Sequence, residues 1–182
     1  YFKGIGVPKD EVEAVKWFRK SADQGYAKAQ DNLGLEYVKG INVPRDEAEA
    51  VKWFRKAADQ GYASGQNNLG VAYLTGNGLP IDKVEAIKWY RKAADQGYAN
   101  AQYNLGVAYA NGNGVVKDEA EAAKLYRKAA DQGYANAQNN LGVAYANGKG
   151  VAKDEAEAVK WYRKAANQGS ELAIANMKKL GF

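Results

Sequence analysis

The stretch Ala99-Asn-Ala-Gln-Tyr-Asn-Leu-Gly-Val-Ala-Tyr-Ala-Asn-Gly-Asn-Gly-Val-Val-Lys-Asp-Glu-Ala-Glu-Ala-Ala-Lys-Leu-Tyr-Arg-Lys-Ala-Ala-Asp-Gln132 decides the fold. Its first part places Ala101, Leu105, Ala108 and Tyr109 on one helical face. Gly112-Asn-Gly114 then ends that helix, because Gly and Asn tolerate the left-handed backbone of a helix exit. Val115 reads as an apolar plug in the turn. Asp118 is a good N-cap, and Glu121 three residues on makes a variant of the capping box. In the second helix Ala122, Leu125, Tyr126, Ala129 and Ala130 form the apolar stripe. Glu119, Glu121, Lys124, Arg127 and Lys128 are expected to face water, acids first and bases last, as the helix dipole favours. Gly133 closes the unit. One unit is thus a helical hairpin: an Asn-Leu-Gly helix, here helix A, and a Trp-Tyr-Arg-Lys helix, here helix B.

The hairpin recurs every 36 residues, as the register Asp10, Asp46, Asp82, Asp118 and Asp154 shows. Helices of three to four turns are marginal alone, so each hairpin must lean on its neighbours. Gly34, Gly70, Gly106 and Gly142 stand inside helix A, where each costs roughly 1 kcal/mol relative to Ala. Their recurrence implies that helix B, with its bulky Trp or Tyr, comes too close for a side chain. Trp17, Trp53, Trp89 and Trp161 lie on the apolar stripe of helix B and read as core, the column being broken by Leu125.

Composition narrows the chemistry. The chain of 182 residues has no Cys and no His. Disulfides, thiolate nucleophiles, Cys/His zinc sites and imidazole bases are therefore excluded. The net charge of +5 is spread out rather than drawn into a stripe of Lys and Arg, which argues against nucleic acid. No apolar run is long enough to span a membrane. Every visible Asp and Glu sits at a cap or a solvated face, so the paired carboxylates of a hydrolase are not seen. The Asn113-Gly114 loop with Asp118 lacks the acidic spacing of a calcium loop. Nothing in the sequence asks for a metal or cofactor.

The two patterns A-x-A-Q-x-N-L-G-x-x-Y-x-x-G-x-G-V and D-x-x-x-A-x-x-W-Y-x-K-A-A-x-x-G resemble the Sel1-like repeat, a longer relative of the tetratricopeptide repeat. The resemblance implies an all-α fold: a right-handed α/α superhelix whose concave groove is lined mainly by helix A. It implies an adaptor or scaffold for a protein or extended peptide, in a bacterial periplasmic or secreted setting, with immunity against an injected toxin as the alternative. A cysteine-rich branch is associated with penicillin binding and β-lactamase activity, which a chain without Cys does not inherit. The phase implied is a partial repeat over 1–25, full repeats over 26–60, 61–96, 97–132 and 133–168, and a capping helix over 169–182. The cap departs from the pattern at Leu172, Ile174 and Lys178-Lys179. The front end has no such cap, so Val15, Phe18 and Ala22 are expected to be exposed. That leads to the expectation that the native protein continues upstream or that this end associates with another copy.

If helix A lines the groove, the column Asn32, Asn68, Asn104 and Asn140 points near it, spaced by about 10 Å, one helix width. Amides both donate and accept, so the ladder can bind a peptide backbone; it can equally tie one hairpin to the next. The adjacent column varies as Asp31, Asn67, Tyr103 and Asn139, and a third as Lys28, Ser64, Asn100 and Asn136. Variation there fits either partner contact or drift at exposed positions. Tyr103 stands out as an aromatic interface anchor.

Overall fold

The computed structural model describes residues 11–181. The end of a helix A read at Tyr1–Lys3 and the cap read at Asp10 lie outside the described residues. The described residues form ten α-helices: α1 Glu11–Asp23, α2 Ala27–Lys39, α3 Glu47–Asp59, α4 Ala63–Thr75, α5 Lys83–Asp95, α6 Ala99–Asn111, α7 Glu119–Asp131, α8 Ala135–Asn147, α9 Glu155–Ala166 and α10 Glu171–Lys179. Odd-numbered helices are helix B and even-numbered ones helix A. The chain divides into two compact units, the first ending at Trp89 and the second beginning at Tyr90.

The helix starts follow the sequence reading, with one change. The Asp46, Asp118 and Asp154 carboxylates accept from the backbone N–H three residues on, in each case at 2.9 Å. The return half of a capping box is absent: the Asp118 N–H donates to the Tyr109 carbonyl at 2.9 Å, and Glu121 binds Lys124 instead. The cap thus ties helix B back to the helix A before it. Helix B ends in a paired motif. The Gly133 N–H donates to Ala130 O and the Tyr134 N–H to Ala129 O, with Gly133 at φ 89°. The same pair recurs at Gly25-Tyr26, Gly61-Tyr62 and Gly97-Tyr98.

Each unit is a stack of these hairpins. In the first, Val15, Ala22, Ala29 and Leu33 close over Trp53, with Val43 of the turn against them. In the second, Tyr126, Ala129, Ala130, Ala137 and Leu141 close over Trp161. A helix B tryptophan is therefore covered by the preceding helix B and by its own helix A, which burial favours by about 2–3 kcal/mol. Leu125 fills the same place in α7. Trp17 departs from the core reading and is 49% exposed. The physical reason is positional: no preceding hairpin stands over it among the described residues. Val15 and Ala22, expected to be exposed, are buried because they face α2. At the other end Ser170 caps α10 through the Ala173 N–H. Lys178 occupies the place that Gly34, Gly106 and Gly142 hold, and Leu172 and Ile174 face solvent beside it.

Gly34, Gly106 and Gly142 inside helix A have the predicted cause, with the contacting residue now resolved. A Cβ on Gly142 would lie 2.6 Å from the Tyr162 ring, on Gly106 2.8 Å from Tyr126, and on Gly34 2.6 Å from Phe54. The ring is the residue after the tryptophan position, not the tryptophan itself. The loops hold a second close approach: a Cβ on Gly150, at φ 71°, would lie 1.9 Å from the Glu119 carbonyl oxygen. The turns at Gly78 and Gly150 therefore rest on the start of the preceding helix B.

Gly142→Ala is expected to lower the melting temperature. Alanine is the better helix former by roughly 1 kcal/mol, but overpacking against Tyr162 costs about 1–3 kcal/mol. Gly106→Leu is expected to cost more. In a Tyr162→Ala background, Gly142→Ala becomes neutral or stabilising; an equal loss in both backgrounds would refute the contact.

Candidate functional site

Consecutive helix A segments meet along the two residue columns singled out above. In the first unit the Asn68 Nδ2 donates to the Asp31 carboxylate at 2.8 Å. In the second the Asn176 Nδ2 donates to Asn139 Oδ1 at 3.0 Å. The Asn140 side chain bonds the hydroxyls of Tyr103 and Tyr126. Asn of one helix A thus reaches the varied position of the one before. Asp31, Asn67 and Asn139 are buried, against the expectation of exposure. The Asp31 and Asn139 side chains fill the seam between neighbouring helix A segments, where a polar group needs a partner. Tyr103, Asn32, Asn68, Asn104 and Asn140 are half-buried, and so is Ser64 of the third column.

A second ladder escaped the sequence reading. Gln30, Gln66, Gln102 and Gln138 are buried, and their amides donate to the carbonyls of Ala22, Ala58, Ala94 and Ala130 at 3.1–3.3 Å. Their own oxygens accept from Gln60, Gln132 and Gln168 at 2.7–2.8 Å for positions 30, 102 and 138. The signal was present, since Gln recurs in the A-x-A-Q pattern, but its spacing within one helix does not reveal a partner eight residues back. Arginine was also misplaced. Arg127, read as solvated, is half-buried, donates to the Tyr145 hydroxyl and stacks on Trp161 at 5.5 Å. Arg55 reaches Tyr73 in the same way at 2.6 Å, and Arg91 reaches Tyr109 at 2.8 Å. These bonds cross from a helix B to the next helix A.

Between the helix A segments each unit holds a hollow. In the first it is lined by Leu35, Val38, Phe54, Asn68, Val71 and their neighbours and encloses about 160 Å³. In the second it is lined by Tyr103, Val107, Tyr126, Asn140, Val143 and others and encloses about 410 Å³. Tyr103 packs against Tyr126 and Tyr134, with ring centres 6.0 and 5.2 Å apart. Burial pushes the Tyr126 hydroxyl up to about 12, so it stays neutral and can donate. Among the described residues no group of three or more His, Cys, Asp or Glu is placed to hold a metal, and no helix is long and apolar enough to cross a membrane.

The Sel1 repeat pattern matches residues 1–26, 27–62, 63–98, 99–134 and 135–170. The chain belongs to the Sel1 repeat family. Among solved structures it is similar to a protective antigen present in uropathogenic Escherichia coli strains, which displays an SLR fold. That match has 43% identity and a TM-score of 0.85, covering 95% of this chain and 37% of that one. It is also similar to a Sel1 repeat protein from Oxalobacter formigenes, at 41% identity and TM-score 0.88, covering 95% and 69% of the two chains. An immunity protein from Pseudomonas aeruginosa matches at 26% identity and TM-score 0.63, covering 87% and 59%. The chain therefore spans well under half the length of the first of these Sel1 relatives. No curated protein matches it.

Asp31 carries a test of the ladder. Burial raises its carboxyl above the ordinary 3.8, and hydrogen bonds from Ser64 and Asn68 oppose that shift. The folded state therefore holds this proton more tightly than the unfolded chain, and the ionised carboxylate costs stability at neutral pH. Asp31→Asn, which keeps an acceptor for Asn68 and copies positions 67 and 139, is expected to raise the melting temperature at pH 7. The gain should shrink as the pH falls from the raised folded value toward 3.8, the unfolded value, and vanish below it; a loss at pH 7 would contradict the assignment.

Proposed function

We propose that this chain is a scaffold that holds a protein partner, as an extended segment, along its helix A faces. The observation that carries the reading is the recurrence of the hollow: equivalent residues of both units build a recess with an apolar wall, edged by Asn68 in one and Asn140 in the other. Recesses with an apolar wall and a few fixed amides suit a chain that brings side chains and backbone together. Sel1 repeat proteins are typically non-enzymatic scaffolds, and no catalytic role is proposed here.

The charge distribution supports a protein partner over nucleic acid. Lys52, Lys88, Lys124 and Lys160 each pair with a Glu three residues earlier at 2.8–3.2 Å. Such exposed pairs add little stability, yet they offset the charge of this row of lysines along helix B. A narrower reading is immunity against one toxin target, supported by the similarity to the Pseudomonas aeruginosa immunity protein. It differs in expecting a single tight partner.

The test is capture of the partner from the native host with crosslinking, using wild type and the pair Tyr103→Ala with Asn104→Ala. The pair is expected to cut recovery at least about tenfold, the effect of losing roughly 1.4 kcal/mol of an interface anchor, while circular dichroism stays helical. Equal recovery from a folded variant would remove the helix A face from the function.

A further inference from the structure

The hollow of the second unit differs from that of the first in ways that favour a particular occupant. Where the first has Leu35, Val38 and Val51, the second has Val107, Ala110 and Ala123. Each change removes carbon from the wall, in the direction of the larger volume, about 410 Å³ against about 160 Å³. Meanwhile the floor gains hydroxyls: Tyr126 stands where Phe54 was, and Tyr103 where Asp31 was. Both hydroxyls are held by Asn140.

The mouth also gains positive charge. In the first unit Arg45 pairs with Glu47, and the other rim position is the neutral Asn77. In the second, Lys117 lies 2.9 Å from Glu119, and the position of Asn77 is taken by Lys149. Two ammonium groups share one carboxylate there, so one positive charge is left over beside a recess of ligand size.

We propose that the hollow floored by Tyr126 is a specificity pocket that takes one Leu- or Phe-sized side chain from an extended protein segment carrying an acidic residue next to it. This rests on the scaffold reading above and adds the chemistry of the partner. The apolar side chain displaces water from the walls formed by Val107, Ala110 and Val143. The neighbouring carboxylate meets Lys149, whose charge Glu119 does not fully offset. The first unit's hollow is smaller and its rim neutral, so it does not select for the acidic neighbour.

Short fluorescein-labelled peptides with a central Phe-Asp, Ala-Asp or Phe-Lys pair serve as probes, read by anisotropy. Phe-Asp is expected to bind tightest to wild type. Ala110→Val with Ala123→Val, the residues present at the matching places of the first unit, should weaken it by roughly tenfold or more. Lys149→Asn should weaken Phe-Asp but not Phe-Lys and should flatten the salt dependence. All variants should melt as wild type does. The proposal is overturned if no peptide binds, if Ala-Asp binds as well as Phe-Asp, or if the filled pocket binds like wild type. If the filled variant still captures the native partner while the Tyr103/Asn104 pair does not, the pocket assignment fails and the scaffold reading stands. If wild type captures no partner, the scaffold reading itself fails.

Discussion

Helix A touches its helix B through a glycine lying under an aromatic ring, and most of the structure depends on that contact. Gly106 has room for the Tyr126 ring and for no side chain of its own. Helix A thereby gives up helix propensity, and packing has to return it. The close approach brings Leu105 and Ala108 into the core against helix B. It also lays the Tyr126 ring along the bottom of the hollow, so one contact sets both the core and the recess.

Between hairpins, buried polar contacts accompany the apolar cover of the tryptophans. Gln138 donates to the Ala130 carbonyl and accepts from Gln168, so the amide is used at both ends. Arg127 spends its guanidinium on Tyr145 and Trp161. Such groups specify register more sharply than apolar contact does, because a shift of one turn would leave them unpaired at a cost of about 1–3 kcal/mol each. The frame is rigid in that sense, and the lining can vary without endangering it. Val107 for Leu35 and Ala110 for Val38 alter the recess while the glycine contact and the Gln ladder stay the same.

Repetition explains why the functional signal is weak in the sequence. Near-identical hairpins share every feature that makes the fold, so a binding site has to be written in the few positions that differ. Some of those differences serve the seam instead: Asp31 and Asn139 vary, yet both are buried acceptors for the next helix A. Tyr103 varies and stays half-buried, and it belongs to the recess.

The amino-acid sequence by itself determined the hairpin period, the two helices and their caps, the glycine exits and the apolar stripe of helix B. These follow from backbone conformation and from spacing within a single helix, which neighbours in the chain dictate. Only the tertiary structure decided which neighbour covers each polar face. The Gln ladder, the Arg127–Tyr145 bond, the burial of Asp31, the exposure of Trp17 and the larger recess over Tyr126 all depend on how one hairpin lies on the next. Helical periodicity says which side of a helix is apolar. It does not say what stands opposite the other side, because that is fixed by contacts between residues one repeat apart.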